Sequence, residues 1–302
     1  MNETSIASSQ EPRSAGRFHP LVRVALFAGL LVAIALPLVF LHAMLRKRLG
    51  FERRSLPGDV LELGLQLGLI LAVLAVSRFA LKRFSAVPFG ALGLARTGAW
   101  KREALVGLSL GTGFPLLIAA LGALFGLATF QVDWPGRPSP FLHFAVAVVS
   151  MICVAVLEET LFRGYAFQEL QRWRGRWLPL IATFVVFGGL HLSNPGGSLQ
   201  GCVSAGLVGA ALYATYLSTT RLWMAIGFHF AWNTVLSIVL GFANGGEHLS
   251  GALLRSELRG PTFFSGGAFG PEAGIVAMTA AATLALVASR MVDKTPPAPG
   301  RG

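Results

Sequence analysis

The chain has 302 residues, of which 54% are hydrophobic and only 13% are charged, and its mean hydropathy is +0.63. A soluble domain would carry about a quarter charged residues. Here the charges stand in short stretches between long apolar runs, which argues against a soluble domain and indicates an integral membrane protein. The net charge of +11 comes from basic residues spread over the ends of these runs. We therefore expect the lipid bilayer as a partner, and no nucleic acid.

Long apolar runs recur along the whole chain and predict membrane-spanning helices. A helix needs about 20 such residues to cross the hydrocarbon core of a bilayer. The candidate spans are residues 22–45, 60–81, 103–129, 141–171, 177–193, 199–220, 222–242 and 272–290. We therefore predict an all-α protein, a polytopic membrane bundle of about eight transmembrane helices.

The basic residues predict the orientation of this bundle. With the N-terminus inside, the inner segments carry 16 of the 25 Lys and Arg residues and the outer segments carry 8, while Arg163 lies within a span. An excess of basic residues marks the cytoplasmic side, so both termini are expected in the cytoplasm. The Gly-, Ala- and Arg-rich composition is typical of a bacterium, and the expected location is its inner (plasma) membrane.

Three regions outside the predicted spans have a distinct composition. Residues 1–18 and 291–302 are polar or rich in proline and are expected to form disordered tails, the first of them cytoplasmic. Residues 243–271 form a Gly-rich loop before the last span. Long loops are either lids or slack connections, and we expect a slack connection here.

Charged residues at membrane depth are few, and three of them fall in the stretch VLEETLFR. Glu159 and Arg163 are four residues apart, which places them on one helix face where the guanidinium can neutralise the carboxylate. Glu158 points about 100° away and has no local partner. An unpaired carboxylate at low dielectric is a candidate proton acceptor. The alternative is a cluster that only anchors the helix at the membrane interface.

Two later spans carry polar side chains at the same helical spacing. FGGLH contains Phe187 and His191, and HFAWN contains His229 and Asn233. A lone membrane histidine is most often a structural hydrogen-bonding residue. Three helices that each supply a titratable group predict a shared polar site instead.

Depth in the membrane gives a partial test of that shared site. At about 1.5 Å per residue from the tryptophan at the end of each helix, Glu158 and His191 lie at similar depths of about 22 and 21 Å. Counted from Trp223, His229 lies at only about 9 Å. Residue counting therefore gives the third helix a different depth from the other two.

The three segments resemble the motifs of the CAAX protease and bacteriocin-processing family of intramembrane proteases, which includes the type II CAAX prenyl endopeptidases. The family pattern is EExxxR, then FxxxH, then HxxxN, and this sequence has all three in order between about residues 141 and 240. The resemblance implies a conical helical bundle with a membrane-embedded polar cavity. Residues 141–242 would form its catalytic core, with residues 19–140 as N-terminal transmembrane helices and 272–290 as the last one.

The resemblance also implies roles for six residues, which are Glu158, Glu159, Arg163, His191, His229 and Asn233. Glu158 would be the general base that, with His191, activates a water for attack on a peptide carbonyl. His229 and Asn233 would stabilise the oxyanion, and Glu159 with Arg163 would orient the site. Such an acyl-transfer site needs a base, a positioned water and donors aimed at the developing charge.

A metal ion stays open at this stage. Glu158, His191 and His229 would be a sufficient ligand set for catalytic Zn²⁺, with water in the fourth position. The family is often described as one of metalloendopeptidases, yet this chain has no HExxH motif. The same residues also serve a metal-free glutamate mechanism, which we favour slightly.

The sequence therefore predicts a membrane hydrolase, an endopeptidase acting on a membrane-associated protein or peptide. In a bacterium a farnesylated substrate is not expected. One alternative is a non-catalytic relative, an immunity or chaperone-like membrane protein that keeps the motifs for binding. A proton-coupled transporter is a weaker alternative, because no internal repeat or matching pair of broken helices is visible.

Overall fold

The computed structural model describes residues 18–52, 55–132, 140–249 and 251–293. Most of the chain in these ranges is helical, as predicted. The helices are α1 (Pro20–Leu49), α2 (Leu56–Ala80), α3 (Trp100–Leu124), α4 (Pro140–Arg163), α5 (Tyr165–Arg174), α6 (Trp177–Leu190), α7 (Leu199–Thr219), α8 (Trp223–Asn233), α9 (Thr262–Ser265) and α10 (Ile275–Asp293). The predicted tails lie outside the described residues, apart from Phe18 and residues 291–293, which end α10.

Five helical segments of the described chain are long and apolar enough to cross a membrane. They are Pro20–Leu49, Leu56–Ser85, Trp100–Leu124, Phe141–Arg174 and Leu199–Thr219. The other three predicted spans correspond to shorter apolar helices, at Trp177–Ser193, Trp223–Val239 and Ile275–Val287. The chain is an integral membrane helical protein, whereas the count of eight spans stays a prediction.

The fourth predicted span, 141–171, is divided at Gly164. Helix α4 ends at Arg163 and the amphipathic α5 begins at Tyr165. A Cβ at position 164 would collide with the Thr160 carbonyl, so glycine permits the change of direction. The Gln168 side chain donates a hydrogen bond to the Arg163 carbonyl at 3.0 Å. This bond satisfies a backbone group at the helix end. Because α4 ends at Arg163, the motif residues lie in its last turns.

Helices α3 and α8 pack with their backbones in direct contact. A Cβ at Gly107 of α3 would collide with the Met224 carbonyl of α8, and a Cβ at Gly111 would collide with the Phe228 carbonyl. From the other side, a Cβ at Gly227 of α8 would collide with the Ala104 carbonyl of α3. Small residues allow membrane helices to approach this closely. The contact fixes the position of α8, which carries His229 and Asn233.

In the structure the connection before α10 covers residues 240–274. It is packed against the bundle, whereas the sequence had suggested a slack Gly-rich loop at residues 243–271. A strand within it, β2 (Leu254–Leu258), pairs antiparallel with β1 (Ala128–Val132), with Ala128 opposite Leu258. Phe242 and Phe269 of the connection are almost fully buried. Apolar burial and strand pairing therefore hold the segment in place. The last predicted span, 272–290, begins later than expected, at Ile275.

Helix α7 lies at the centre of the described helices and is buried along most of its length. Ser198 caps its N-terminus by accepting a hydrogen bond from the Gly201 amide at 3.0 Å. Gly188 of α6 lies so close to α7 that a Cβ there would collide with the Cys202 carbonyl. This contact brings the FxxxH segment of α6 towards the end of α4.

Candidate active site

The site is built on a buried ion pair in the last turns of α4. Arg163 Nη1 lies 3.1 Å from Glu159 Oε1, and neither side chain is exposed. Arg163 Nη2 donates to the Gly209 carbonyl of α7 at 2.8 Å. The i,i+4 pairing predicted from the sequence is confirmed. Because the guanidinium is bonded to both helices, it neutralises Glu159 and also fixes α4 against α7.

His229 of α8 lies between the two glutamates of the motif. Its Nδ1 is 2.8 Å from Glu159 Oε1, and its Nε2 is 3.8 Å from Glu158 Oε2. A carboxylate only accepts hydrogen bonds, so Nδ1 carries a proton and donates a hydrogen bond to Glu159. The ring is thereby held with Nε2 directed towards Glu158.

The two adjacent glutamates have different environments. Glu159 is fully buried, whereas 31% of the Glu158 side chain is exposed. Glu158 forms no ion pair with a Lys or Arg in the part of the chain that the structure describes. Glu159 is therefore a structural anion paired with Arg163, while the Glu158 carboxylate is accessible to a water or ligand.

The FxxxH segment contributes His191 to the site, and its phenylalanine, Phe187, packs beside that histidine. His191 Nδ1 lies 2.7 Å from the Phe187 carbonyl, which accepts only, so Nδ1 carries the proton and the neutral ring keeps a lone pair on Nε2. The two rings pack with centroids 4.7 Å apart. The Arg163 guanidinium also lies over the Phe187 ring, 5.4 Å from its centroid. Phe187 therefore contacts both the histidine and the arginine of the site.

Asn233 ends α8, where a π-helical turn of residues Thr234–Val239 begins. Its Oδ1 accepts a hydrogen bond of 2.8 Å from Nδ2 of Asn244. With the oxygen engaged in this way, the Asn233 NH₂ group is the part of the amide left to act as a donor. Wide helical turns of this kind are frequent at functional sites.

One cavity of about 260 Å³ brings these groups together. Four of the six predicted site residues line it, and Glu159 and Arg163 lie behind its wall. The polar lining includes Glu158, His191, His229, Asn233, Asn244 and Glu272. The predicted meeting of three helices at one polar cavity is therefore present in the structure.

Asn244 and Glu272 are cavity residues that sequence reasoning missed. Asn244 lies in the loop that was expected to be slack, and Glu272 is the first residue of the predicted last span, which the structure places in a 3₁₀ turn before α10. Glu272 accepts hydrogen bonds from the Gly245 amide at 2.5 Å and from Trp232 Nε1 at 3.4 Å. Burial raises the pKa of Glu272 to about 7, although these two N–H groups lower it. The only sequence signal was an isolated acid in the otherwise uncharged stretch GAFGPEAG.

The proposed zinc ligands do not converge in this arrangement. In the ranges that the structure describes, no three His, Cys, Asp or Glu side chains are close enough to hold one metal ion. Glu158 and His229 are neighbours, and the proton on His191 Nδ1 leaves its Nε2 suited to a ligand. The donor types suit zinc, but their positions in this structure do not fit it. A zinc ion therefore remains a prediction from the sequence, and the reaction proposed below uses no metal.

Comparison with known proteins supports the class that the fold and cavity define, a membrane helical bundle with titratable groups around a cavity. Residues 138–235 match the family model Rce1-like, described as type II CAAX prenyl endopeptidase Rce1-like. No curated protein and no solved structure matched the chain. The matched segment, about a third of the chain, contains all three motifs, and this region is similar to the type II CAAX prenyl endopeptidases.

Proposed function

We propose that the chain is an intramembrane endopeptidase that hydrolyses a peptide bond in a membrane-associated protein or peptide. The observation that carries this proposal is the single cavity in which Glu158, His191, His229 and Asn233 meet. The family match supports a protease. An anchor at the membrane surface would not require residues from three helices to line one cavity.

Glu158 is the proposed general base. Its accessible carboxylate takes a proton from water as the water oxygen bonds to the carbonyl carbon of the substrate. His191 Nε2, an acceptor in the neutral ring, holds the second hydrogen of that water. When the C–N bond breaks, Glu158 returns the proton to the leaving amine, so the carboxylate is regenerated.

His229 and Asn233 are the proposed oxyanion donors. The NH₂ group of Asn233 donates directly, and His229 donates from Nε2 in the doubly protonated form of its ring, because Nδ1 is already bonded to Glu159. Removal of one such donor typically lowers kcat by about 10²–10³-fold. Glu159 and Arg163 position these donors, since Glu159 fixes the ring and Arg163 fixes Glu159.

Replacement of the base tests the proposal. The expected result is that peptide N-termini generated in membranes containing the wild-type chain disappear with Glu158→Gln, while the exposed carboxylate variant Glu257→Gln keeps them. The measurement is mass spectrometry of protein N-termini in membranes from cells that express each variant. Identical N-termini with and without the Glu158 carboxylate would refute the hydrolase mechanism and favour a non-catalytic binding role.

A further inference from the structure

Glu272 lies in the cavity wall but outside the segment matched to the family. It belongs to a 3₁₀ turn, Pro271–Ala273, between α9 and α10. Only 8% of the residue is exposed, and its side chain lines the same cavity as Glu158 and His229. No Lys or Arg in the described part of the chain forms an ion pair with it. The reaction proposed above gives this buried acid no role.

The contacts of Glu272 connect three parts of the fold. Oε1 accepts from the Gly245 amide in the connection, and Oε2 accepts from Trp232 Nε1 in α8. Its backbone carbonyl accepts from Ser204 Oγ of α7 at 2.5 Å. Both carboxylate oxygens are therefore bonded to groups that belong to different segments.

These two side-chain contacts flank a proposed oxyanion donor. Trp232 immediately precedes Asn233, and Gly245 immediately follows Asn244, whose Nδ2 donates to Asn233 Oδ1 at 2.8 Å. Glu272, Trp232, Asn233, Asn244 and Gly245 thus form a closed ring of covalent and hydrogen bonds. Because the ring ties the connection to α8, it determines which part of the Asn233 amide is left free.

We propose that Glu272 is a positioning residue of the cavity, which holds residues 244–246 against α8 so that Asn233 presents its NH₂ group as a donor. This proposal rests on the proposed function for its catalytic consequence but not for its structural one. Glu272 acts through Asn233 and does not itself contact the reacting atoms. Burial raises the pKa of this carboxyl group, and its two N–H donors offset the rise only in part.

Hydrogen exchange on the purified 302-residue chain tests the structural part without any need for a substrate. Glu272→Ala removes both acceptors, and the exchange rate of the segment that contains Gly245 should rise about tenfold. Glu272→Gln keeps a weaker, neutral acceptor and should raise that rate about threefold. Glu257→Gln, an exposed carboxylate in β2, is the matched control and should leave it unchanged. Unaltered exchange in the Ala variant, or in the Gln variant if the Ala variant fails to fold, would overturn the proposal.

Peptide cleavage tests the catalytic part by a double-mutant cycle with Asn233→Ala. If Glu272 acts through Asn233, Glu272→Gln should lower kcat about tenfold in the wild-type background and change it little in the Asn233→Ala background. Equal losses in both backgrounds would mean a general structural role and would refute the positioning role. If the wild-type chain cleaves nothing, the proposed function fails, and the exchange measurement still decides whether Glu272 holds residues 244–246.

Discussion

Arg163 is the residue on which most of the site geometry depends. Its guanidinium bonds to Glu159 and to the Gly209 carbonyl and lies over the Phe187 ring. Glu159 in turn bonds to His229. A change at Arg163 therefore affects the orientation of groups on α4, α6, α7 and α8, although Arg163 itself does not line the cavity.

Replacement of Arg163 should destabilise the protein strongly. Arg163→Met would leave Glu159 as a buried carboxylate without its cation, and breaking a buried pair in this way costs about 3–5 kcal/mol. Arg163→Lys keeps the charge but lacks the planar fork that reaches Glu159 and Gly209 together, so an intermediate loss is expected. Thermal unfolding in detergent measures both.

Arg259→Met is the matched control for that experiment. Arg259 lies 4.0 Å from Glu257, and both side chains are mostly exposed. Such pairs contribute little, so a change within about 0.5 kcal/mol is expected. Equal destabilisation by Arg163→Met and Arg259→Met would contradict the role assigned to the buried pair.

Sequence reasoning predicted the residues of the site better than their contacts. The i,i+4 rule gave the Glu159–Arg163 pair, because both residues lie on one helix. The contact between His229 and Glu159 joins residues on different helices, and local spacing carries no information about it. Residue counting from Trp223 gave His229 a different depth from Glu158 and His191, and it did not indicate that the His229 ring lies 2.8 Å from Glu159.

At the scale of elements, the backbone contact between α3 and α8 determines where His229 and Asn233 lie. Gly111 faces the Phe228 carbonyl directly, whereas Gly113 of the same helix has no heavy atom within 4 Å of the position a Cβ would take. The two glycines therefore offer a matched pair, since they share a helix and a residue type and differ in their surroundings.

Gly111→Ala should separate α8 from α3. Overpacking of this kind typically costs about 1–3 kcal/mol, and the shift of α8 should also lower kcat because His229 moves away from Glu159. Gly113→Ala should be neutral or slightly stabilising, since alanine favours helix more than glycine. Thermal unfolding and peptide cleavage of both variants provide the measurement. A loss of stability in Gly113→Ala as large as that in Gly111→Ala would contradict the packing argument.

The connection before α10 was the element least accessible to sequence reasoning. Its glycines and prolines predict irregular backbone, and irregular backbone gives no periodicity from which burial can be inferred. Its position depends on the pairing of β1 with β2 and on the burial of Phe242 and Phe269, which are contacts between distant parts of the chain. The long apolar helices, in contrast, were predictable because each of them follows from its own apolar run, whereas the division of α4 from α5 and the short α9 were not predicted.

At the scale of the whole molecule, the orientation in the membrane stays a prediction from the basic residues. Both termini are expected in the cytoplasm. Single cysteines introduced at Ser9 and Pro299, in a background with Cys153 and Cys202 replaced by alanine, should react with a membrane-impermeant thiol reagent only after the cells are opened. Labelling of either cysteine in intact cells would reverse the predicted orientation.

The positions of Asn244 and Glu272 bear on how far homology reaches in this chain. The family match ends at residue 235, yet the cavity is also lined by residues that come later in the sequence. The segment that matches the family is therefore shorter than the part of the chain that forms the cavity. A fragment or chimera cut at the end of the matched segment would retain every motif residue and lose one wall of the chamber around them. The presence of the three motifs is thus not sufficient by itself to assign an activity to such a chain.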